Sequence, residues 1–380
     1  MKKNNKSVAS VKKKQLSKSA AQEKIEEEAL TIGIDLGDKS SQYCVLNAAG
    51  EVTAERSVAT TKQGMAQAFG ARKRCRIALE VGTHSAWVSR LLNGLGHEVI
   101  VANARQVKLI GASSKKDDKF DARTLARLAR VDPQLLRPIR HRSEKAQLDL
   151  LQIRVRAVLV ETRTSLVNTV RGLVKALGER LPPCDADQMG VNQAQGLPKE
   201  WQEQLKPLLE AVESLTQKIK ASDAQLEQIA RKEYPETQLL KQVKGVGPLI
   251  ALTYVLTVED PQRFQKSRDV GCYVGLRPKR RDSGETRPQL GITKEGDAYL
   301  RKLLVQGAHC ILSPHGPDTD LKRWGWKLCE RGGKNARKRA IVAVARKLAV
   351  LLHCLWVTGE VYEPLRNSKD RAAATTKAAA

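Results

Sequence analysis

The segment Thr31–Lys39, TIGIDLGDK, limits the fold of this chain more tightly than any other. Apolar and small residues run into a carboxylate, Asp35, and Leu36-Gly37 then turns the chain away. Such a run reads as a strand buried in the middle of a sheet, delivering its acid to the sheet edge. Burying an unpaired carboxylate costs several kcal/mol, so packing alone gives no reason for an acid there. Arg76–Glu80, RIALE, is a second short apolar strand ending in an acid. Asp118–Ala122, DKFDA, opens a helix with two acids three residues apart, which share one helical face. Asp35, Glu80, Asp118 and Asp121 are therefore expected to converge on a divalent metal ion.

The elements around these acids have a recognisable order. Strands are expected at 31–36, 42–47 and 51–58, with Ala48-Ala49-Gly50 as the turn between the last two. A helix at 61–69, a strand at 76–80, a helix at 84–94, a strand at 98–101 and helices at 104–112 and 120–130 follow. Three antiparallel strands followed by alternating strand and helix is the element order of the RNase H-like fold. The expected α/β domain spans 31–139.

The formal net charge of +26 over 380 residues says little about fold but a great deal about partners, and it points to nucleic acid. A basic membrane-surface protein is the bland alternative. Against it stand the lack of an apolar run of about 18 residues and of a signal peptide, so no membrane partner is expected. Residues 1–30 begin with seven lysines and no acid in the first twenty positions, and read as a disordered basic arm. The seven cysteines form no CxxC pair, which fits reduced thiols in a cytoplasmic protein. The six histidines have no HxH or HExxH spacing, so a histidine-based metal centre is not expected.

Beyond the first domain the apolar period changes to that of helices. Leu148, Leu151, Val155, Val158, Leu166, Val170 and Leu173 recur at spacings of mostly three and four, and Trp201–Ile229 repeats the pattern. Two long amphipathic helices within 140–233, joined by a Pro- and Gly-containing loop, are expected to form a helical coiled-coil hairpin, within one chain or as a dimer element. That seam suits a homodimer or a dimer of dimers. Arg154, Arg156, Arg163 and Arg171 on the first helix read either as phosphate contacts or as a solvated face. Residues 234–362 read as a mainly helical C-terminal domain, and 363–380 as a disordered tail. Gly245-Val246-Gly247 resembles the turn of a helix-hairpin-helix, which offers backbone N–H groups to phosphate; a plain helix-breaking turn is the alternative.

The C-terminal block contains Gly275-Leu276-Arg277-Pro278, then Ser283-Gly284, then GITKEGDAYLRKLL over 291–304. With the acid-ended strands and the DKFDA helix in order before it, this block resembles the DEDD transposases of the IS110 insertion-sequence family. The resemblance spans roughly 31–311 and implies a RuvC-like N-terminal domain. It implies magnesium (or manganese) on Asp35, Glu80, Asp118 and Asp121, and Ser283 as the nucleophile that attacks DNA. It also implies target and donor DNA sites and a structured guide RNA. Asp117 adds an acid beside Asp118, and the DKFDA pattern selects Asp118. Asp282, directly before the serine, either repels phosphate or acts as a base. Arg277, Lys279, Arg280 and Arg281, with Lys294 and Arg301 of the following motif, are the candidate nucleic-acid contacts.

The chemistry is consistent by itself. Magnesium takes hard oxygen ligands, and two ions roughly 3.5–4 Å apart can polarise a phosphodiester and stabilise its leaving oxygen. A serine hydroxyl needs a base, a metal or a dense positive field to become a nucleophile. Without the resemblance, Ser283 reads as a turn residue before glycine. A RuvC-like nuclease or junction resolvase would use the acids and leave Ser283 idle. A nonenzymatic nucleic-acid-binding protein would use only the charge. An actin-like ATPase shares the GIDLG strand, but its second phosphate loop is not present in this sequence.

Overall fold

The computed structural model describes residues 30–103, 118–286, 288 and 290–367, and divides the chain into two units, Met1–Arg142 and Ser143–Ala380. The expected basic arm up to residue 29, the helix at 104–112 and Asp117 lie outside the described residues, as does the expected 363–380 tail from 368 on. Residues 363–367 are described, with Pro364 and Asn367 hydrogen-bonded to Asp320.

The first unit is built on a five-stranded mixed sheet in the order β3-β2-β1-β4-β5. Its strands are β1 (Thr31–Asp35), β2 (Ser40–Leu46), β3 (Val52–Ala59), β4 (Arg76–Glu80) and β5 (Glu98–Ala102). β1, β2 and β3 form an antiparallel meander, and β4 and β5 add in parallel to β1. This mixed α/β architecture is consistent with the RNase H-like expectation. Strand alternation sends Ile32, Ile34, Ile77 and Leu79 to one face. There they pack with Met65 and Phe69 of α1 (Lys62–Phe69) and with Val88 and Leu92 of α2 (Ser85–Gly94).

At the centre of the opposite face the residues are small. Gly33 and Ala78 meet helix α3 (Asp118–Val131), whose own contact residues include Ala122, Leu125, Ala126 and Ala129. At Gly33 the approach is so close that a Cβ would fall on the backbone carbonyl of Ala122 and crowd the amide of Ala126. Two arginines fix the helix along its length. Arg123 holds Glu55 through Nε and Nη2 at 2.9 and 2.7 Å, and Arg130 donates to the Ala48 carbonyl.

In the second unit, α4 (Glu144–Ala176) and α5 (Lys199–Glu233) lie antiparallel. Ala146, Leu150 and Ile153 at the start of α4 pack with Leu226 and Ala230 near the end of α5. Val167, Val170 and Val174 pack with Leu205, Leu209 and Val212. The helices thus pair within one chain. The unit continues with α6 (Glu236–Leu240), α7 (Pro248–Val258), α8 (Val270–Tyr273), α9 (Ala298–Ile311), α10 (Asp320–Glu330) and α11 (Ala336–Thr358). By length and mean hydropathy α11 could cross a membrane, although Arg346 and Lys347 interrupt its apolar run. Half of its most apolar window is buried, and Ala340, Val344, Leu348 and Leu352 make it the central helix of the unit's core.

The contact at Gly33 yields a direct expectation. Gly33→Ala forces the helix off the strand or distorts both, and should lower stability by about 1–3 kcal/mol, as overpacking does elsewhere. Chemical denaturation of the two proteins measures it, and an unchanged midpoint would contradict the contact.

Candidate active site

The acids reach one place because of how β1, β4 and α3 are built. The β1–β4 pairing runs from Thr31 opposite Arg76 to Ile34 opposite Leu79, so Asp35 and Glu80 come next in register. Adjacent strands lie about 4.8 Å apart. Asp35 lies two residues after Gly33, and Glu80 two after Ala78, so both belong to the face on which α3 packs. Asp118 is the first residue of α3 and Asp121 follows one turn later. Asp35, Glu80 and Asp121 are all half-buried.

Electrostatics tie two of the four together. Burial pushes the Glu80 carboxyl above the ordinary carboxylate range, and the negative charge of Asp121 pushes it in the same direction. The side chain of Asp118 lies outside the description. Among the described residues, no group of three or more His, Cys, Asp or Glu side chains stands close enough to hold a metal ion. The structure thus sets Asp35 and Glu80 side by side and couples Glu80 to Asp121, without a closed ligand shell. The donor set suits a hard cation, because every donor is a carboxylate oxygen. The repulsion between Glu80 and Asp121 is the kind that a divalent cation cancels.

Sequence reasoning passed over the loops that follow β1 and β4. His84 Nε2 faces Asp38 Oδ1 at 3.5 Å, and the Trp87 indole N–H donates to His84 Nδ1 at 3.1 Å. Asp38 is three residues after Asp35 and His84 four after Glu80, and that proximity in sequence was the available signal. Ser85 and His141 form a second pair, at 2.9 Å, which superficially resembles a nucleophile and base. Ser85 is fully buried and donates its proton to the Gly82 carbonyl, so the pair closes the loop after β4. Burial, with Arg90 and Arg142 nearby, lowers the His141 pKa, which keeps the ring neutral in that role.

The basic segment of the second unit is a β-hairpin arm. Lys279 N–H donates to the Gly291 carbonyl, Thr293 N–H to Arg277, and Lys294 N–H to Gly275. Pro278 bridges Ile292, and Ser283 bridges Thr286. Gly284, with φ of 54°, takes the first position of the two-residue tip, where a tight hairpin requires positive φ. Arg277, Lys279, Arg280, Arg281, Asp282 and Ser283 are all exposed along this arm. Its base is locked: a Cβ on Gly296 would fall on the Tyr273 carbonyl, and one on Gly275 on the Glu295 carbonyl. Arg301 sits at that lock, donating to the Val274 and Glu295 carbonyls at 3.1 and 2.8 Å. Lys294 stays exposed at the edge. Tyr273, the other residue here that could form a phosphodiester adduct, donates its hydroxyl to the Thr257 carbonyl at 3.1 Å.

The arginines of α4 have partners inside the unit. Arg154 holds Asp297, Arg156 holds Asp223, Arg163 donates to Thr216 and Arg171 to the Cys184 carbonyl. Asp297 in turn caps α9 through the Tyr299 and Leu300 amides. At the Gly245 turn, backbone packing accounts for the glycine. Its φ is 91°, and a Cβ there would press on the Gly307 carbonyl.

Sheet and helix with acids at the strand ends, and a basic arm carrying a serine, describe a protein that works on nucleic acid. The DEDD transposase profile of the IS110 group matches residues 32–178, which include all four acids. The profile described as transposase IS116/IS110/IS902 family matches 237–323, which includes the arm and Ser283. The chain is 29% identical over 343 residues to the transposase for insertion sequence element IS1111A of Coxiella burnetii, covering 87% of this chain and 90% of that one. It is 27% identical to a probable family 20 transposase of Pseudomonas aeruginosa, over 76% of this chain and 86% of the relative. The chain belongs to the IS110 family of insertion-sequence transposases.

The Glu80 shift sets a pH dependence with a definite sign. A carboxyl whose folded pKa is raised contributes stability that is complete below its unfolded pKa and is lost as pH rises through the folded value. In EDTA, Glu80→Gln should therefore be at least as stable as the parent at pH 7–8, by less than about 1 kcal/mol because water screens the half-exposed group. The advantage should vanish toward pH 4, and added magnesium should raise the melting temperature of the parent more than that of the variant. Melting curves across pH, with and without magnesium, read both effects.

Proposed function

We propose that this transposase cuts and exchanges DNA strands using Asp35, Glu80, Asp118 and Asp121 to hold magnesium or manganese, with Ser283 as nucleophile. The observation that carries the reading is the register of β1 and β4, which sets Asp35 beside Glu80 on the face that receives the start of α3. Bound there, a divalent ion would neutralise charge on the scissile phosphate. The chain's own groups divide the remaining work. Arg277, Lys279, Arg280 and Arg281 bring the phosphodiester to the arm, and Gly284 lets the backbone approach it.

Ser283 Oγ then attacks phosphorus, losing its proton, while the P–O bond to the departing strand breaks and that oxygen takes up a proton. One phosphodiester is exchanged for a phosphoserine ester. A strand hydroxyl can later reverse the step, so joining needs no high-energy cofactor. The family resemblance and the charge of +26 support a structured guide RNA as the determinant of site choice. The rival with the same acids is a metal-dependent hydrolase that makes no covalent adduct.

A denaturing gel separates the two readings. Ser283→Ala should abolish the covalent protein–DNA species while salt-sensitive DNA binding persists, since an exposed hydroxyl contributes at most about 1 kcal/mol to stability. Asp35→Ala should abolish strand cleavage altogether. Cleavage by the serine variant at the parent rate would leave only the hydrolase, and unchanged site choice after RNase treatment would remove the guide RNA.

Self-association has a candidate surface. Leu148, Leu151, Val155 and Val158 are 59, 54, 50 and 60% exposed on α4, at the alternating three-and-four spacing of a coiled-coil seam. We assign this stripe to a second copy of the chain, in at least a dimer. Leu151→Lys with Val155→Lys should shift sedimentation from dimer to monomer, and an unchanged parent-like dimer would place the interface elsewhere.

A further inference from the structure

The second unit has a cleft that the proposed chemistry leaves unused. It lies between α10, α11 and the segment 359–367, and encloses about 1290 Å³. Its walls include Trp324, Trp326, Leu351, Val361 and Tyr362. Five acidic and five basic side chains also line it, so the cleft is electrically neutral. Arg323 pairs with Asp318 and Arg366 with Glu360 within it. The Lys347 ammonium sits 4.1 Å from the Trp324 ring centre and occupies that ring. Trp326 is 38% exposed, and among the described residues no ring or cation stacks on it.

The charge changes where α10 ends. Arg331–Arg339 reads RGGKNARKR, with five basic residues, no acid, and every cation exposed. Gly332 and Gly333, with φ of 73° and 91°, turn the chain from α10 into α11. Among the described residues, no ion pair involves Arg331, Lys334, Arg337 or Lys338, whereas Arg154, Arg156 and Lys302 each hold a carboxylate. Along the helix axis Trp326 precedes Arg331 by about 7.5 Å, at 1.5 Å per residue. That is about two nucleotide steps of ~3.4 Å.

A neutral aromatic wall beside an unneutralised basic run matches the two halves of a nucleotide. The uncharged base gains by stacking and the phosphate gains by charge. In a duplex the base faces are already stacked, so the indole of Trp326 can take only an unpaired base. We infer that this face binds single-stranded polynucleotide, with a base on Trp326 and the adjoining phosphates on Arg331–Arg339. The inference rests on the nucleic-acid reading above, but it concerns binding and not strand cleavage.

The test is fluorescence anisotropy of the full chain with a 20-nucleotide oligo-dT, a 20-nucleotide oligo-U and a 20-base-pair duplex at matched salt. Trp326→Ala should weaken binding of at least one single strand about five-fold or more and leave the duplex within two-fold. Trp326→Leu keeps apolar bulk but has no stacking face, and should lose as much, whereas Trp326→Phe should keep most of the affinity. A loss confined to RNA or to DNA identifies the strand bound, and either supports the site. The triple variant Lys334→Glu, Arg337→Glu, Lys338→Glu should weaken all probes and lower the slope of log affinity against log salt by about two to three. Equal losses on single strands and duplex in the Trp326 variants, no loss at all, or a leucine variant that binds like the parent would overturn the inference. So would an unchanged salt slope in the triple variant. Failure here leaves the Ser283 adduct intact, and failure of the adduct leaves these affinities intact.

Discussion

The first unit depends on the absence of one side chain. Gly33 lets the backbone of α3 rest directly on β1, with Ala122 and Ala126 completing the contact. A side chain at that point would lift the helix, and with it Asp118 and Asp121, away from the strand ends that carry Asp35 and Glu80. The energetic conflict of the site follows from the same closeness. A helix pressed onto the sheet brings Asp121 near a half-buried Glu80, and the carboxylates then repel. Arg123 and Arg130 keep the helix in place by gripping the β2–β3 hairpin. The rigidity of the scaffold holds charges together that would otherwise separate.

The second unit combines the same ingredients differently. Its arm is rigid at the base, where Gly275 and Gly296 allow backbones to cross and Arg301 ties two carbonyls. Beyond that lock the cations and Ser283 are exposed. An arm anchored at one end and charged at the other can present its tip without an unfolding cost. The arginines of α4 serve the opposite purpose. By holding Asp297 and Asp223 they brace the helical hairpin and the cap of α9, and little of their charge is left for a ligand. Among the described residues, the cations of the arm and those of the turn into α11 are exposed and take part in no ion pair.

The legible parts of the sequence were those where local pattern and tertiary role coincide. The unbroken runs of apolar and small residues at Thr31–Ile34 and Ile77–Leu79 mark buried strands, and the acids that follow mark strand ends, without knowledge of neighbours. The long helices show in their spacing, and the Ser283-Gly284 turn in its residue types. α10 was not anticipated, although Thr319 caps it and Gly332 ends it, because an eleven-residue helix with a glycine inside offers little period to read. The helix α11 escaped the apolar test because Arg346 and Lys347 interrupt a run that is otherwise apolar enough.

By itself, the sequence determined the five strands and the long helices, which strands end in acids, and the family to which the chain belongs. Those properties depend on residues close together in the chain. Only the tertiary structure decided that Asp35 and Glu80 are neighbours, because strand register is a relation between segments more than forty residues apart. It also decided which cations are occupied. An arginine facing Asp223 across a helical hairpin and an arginine facing water carry the same letter, and only packing tells them apart.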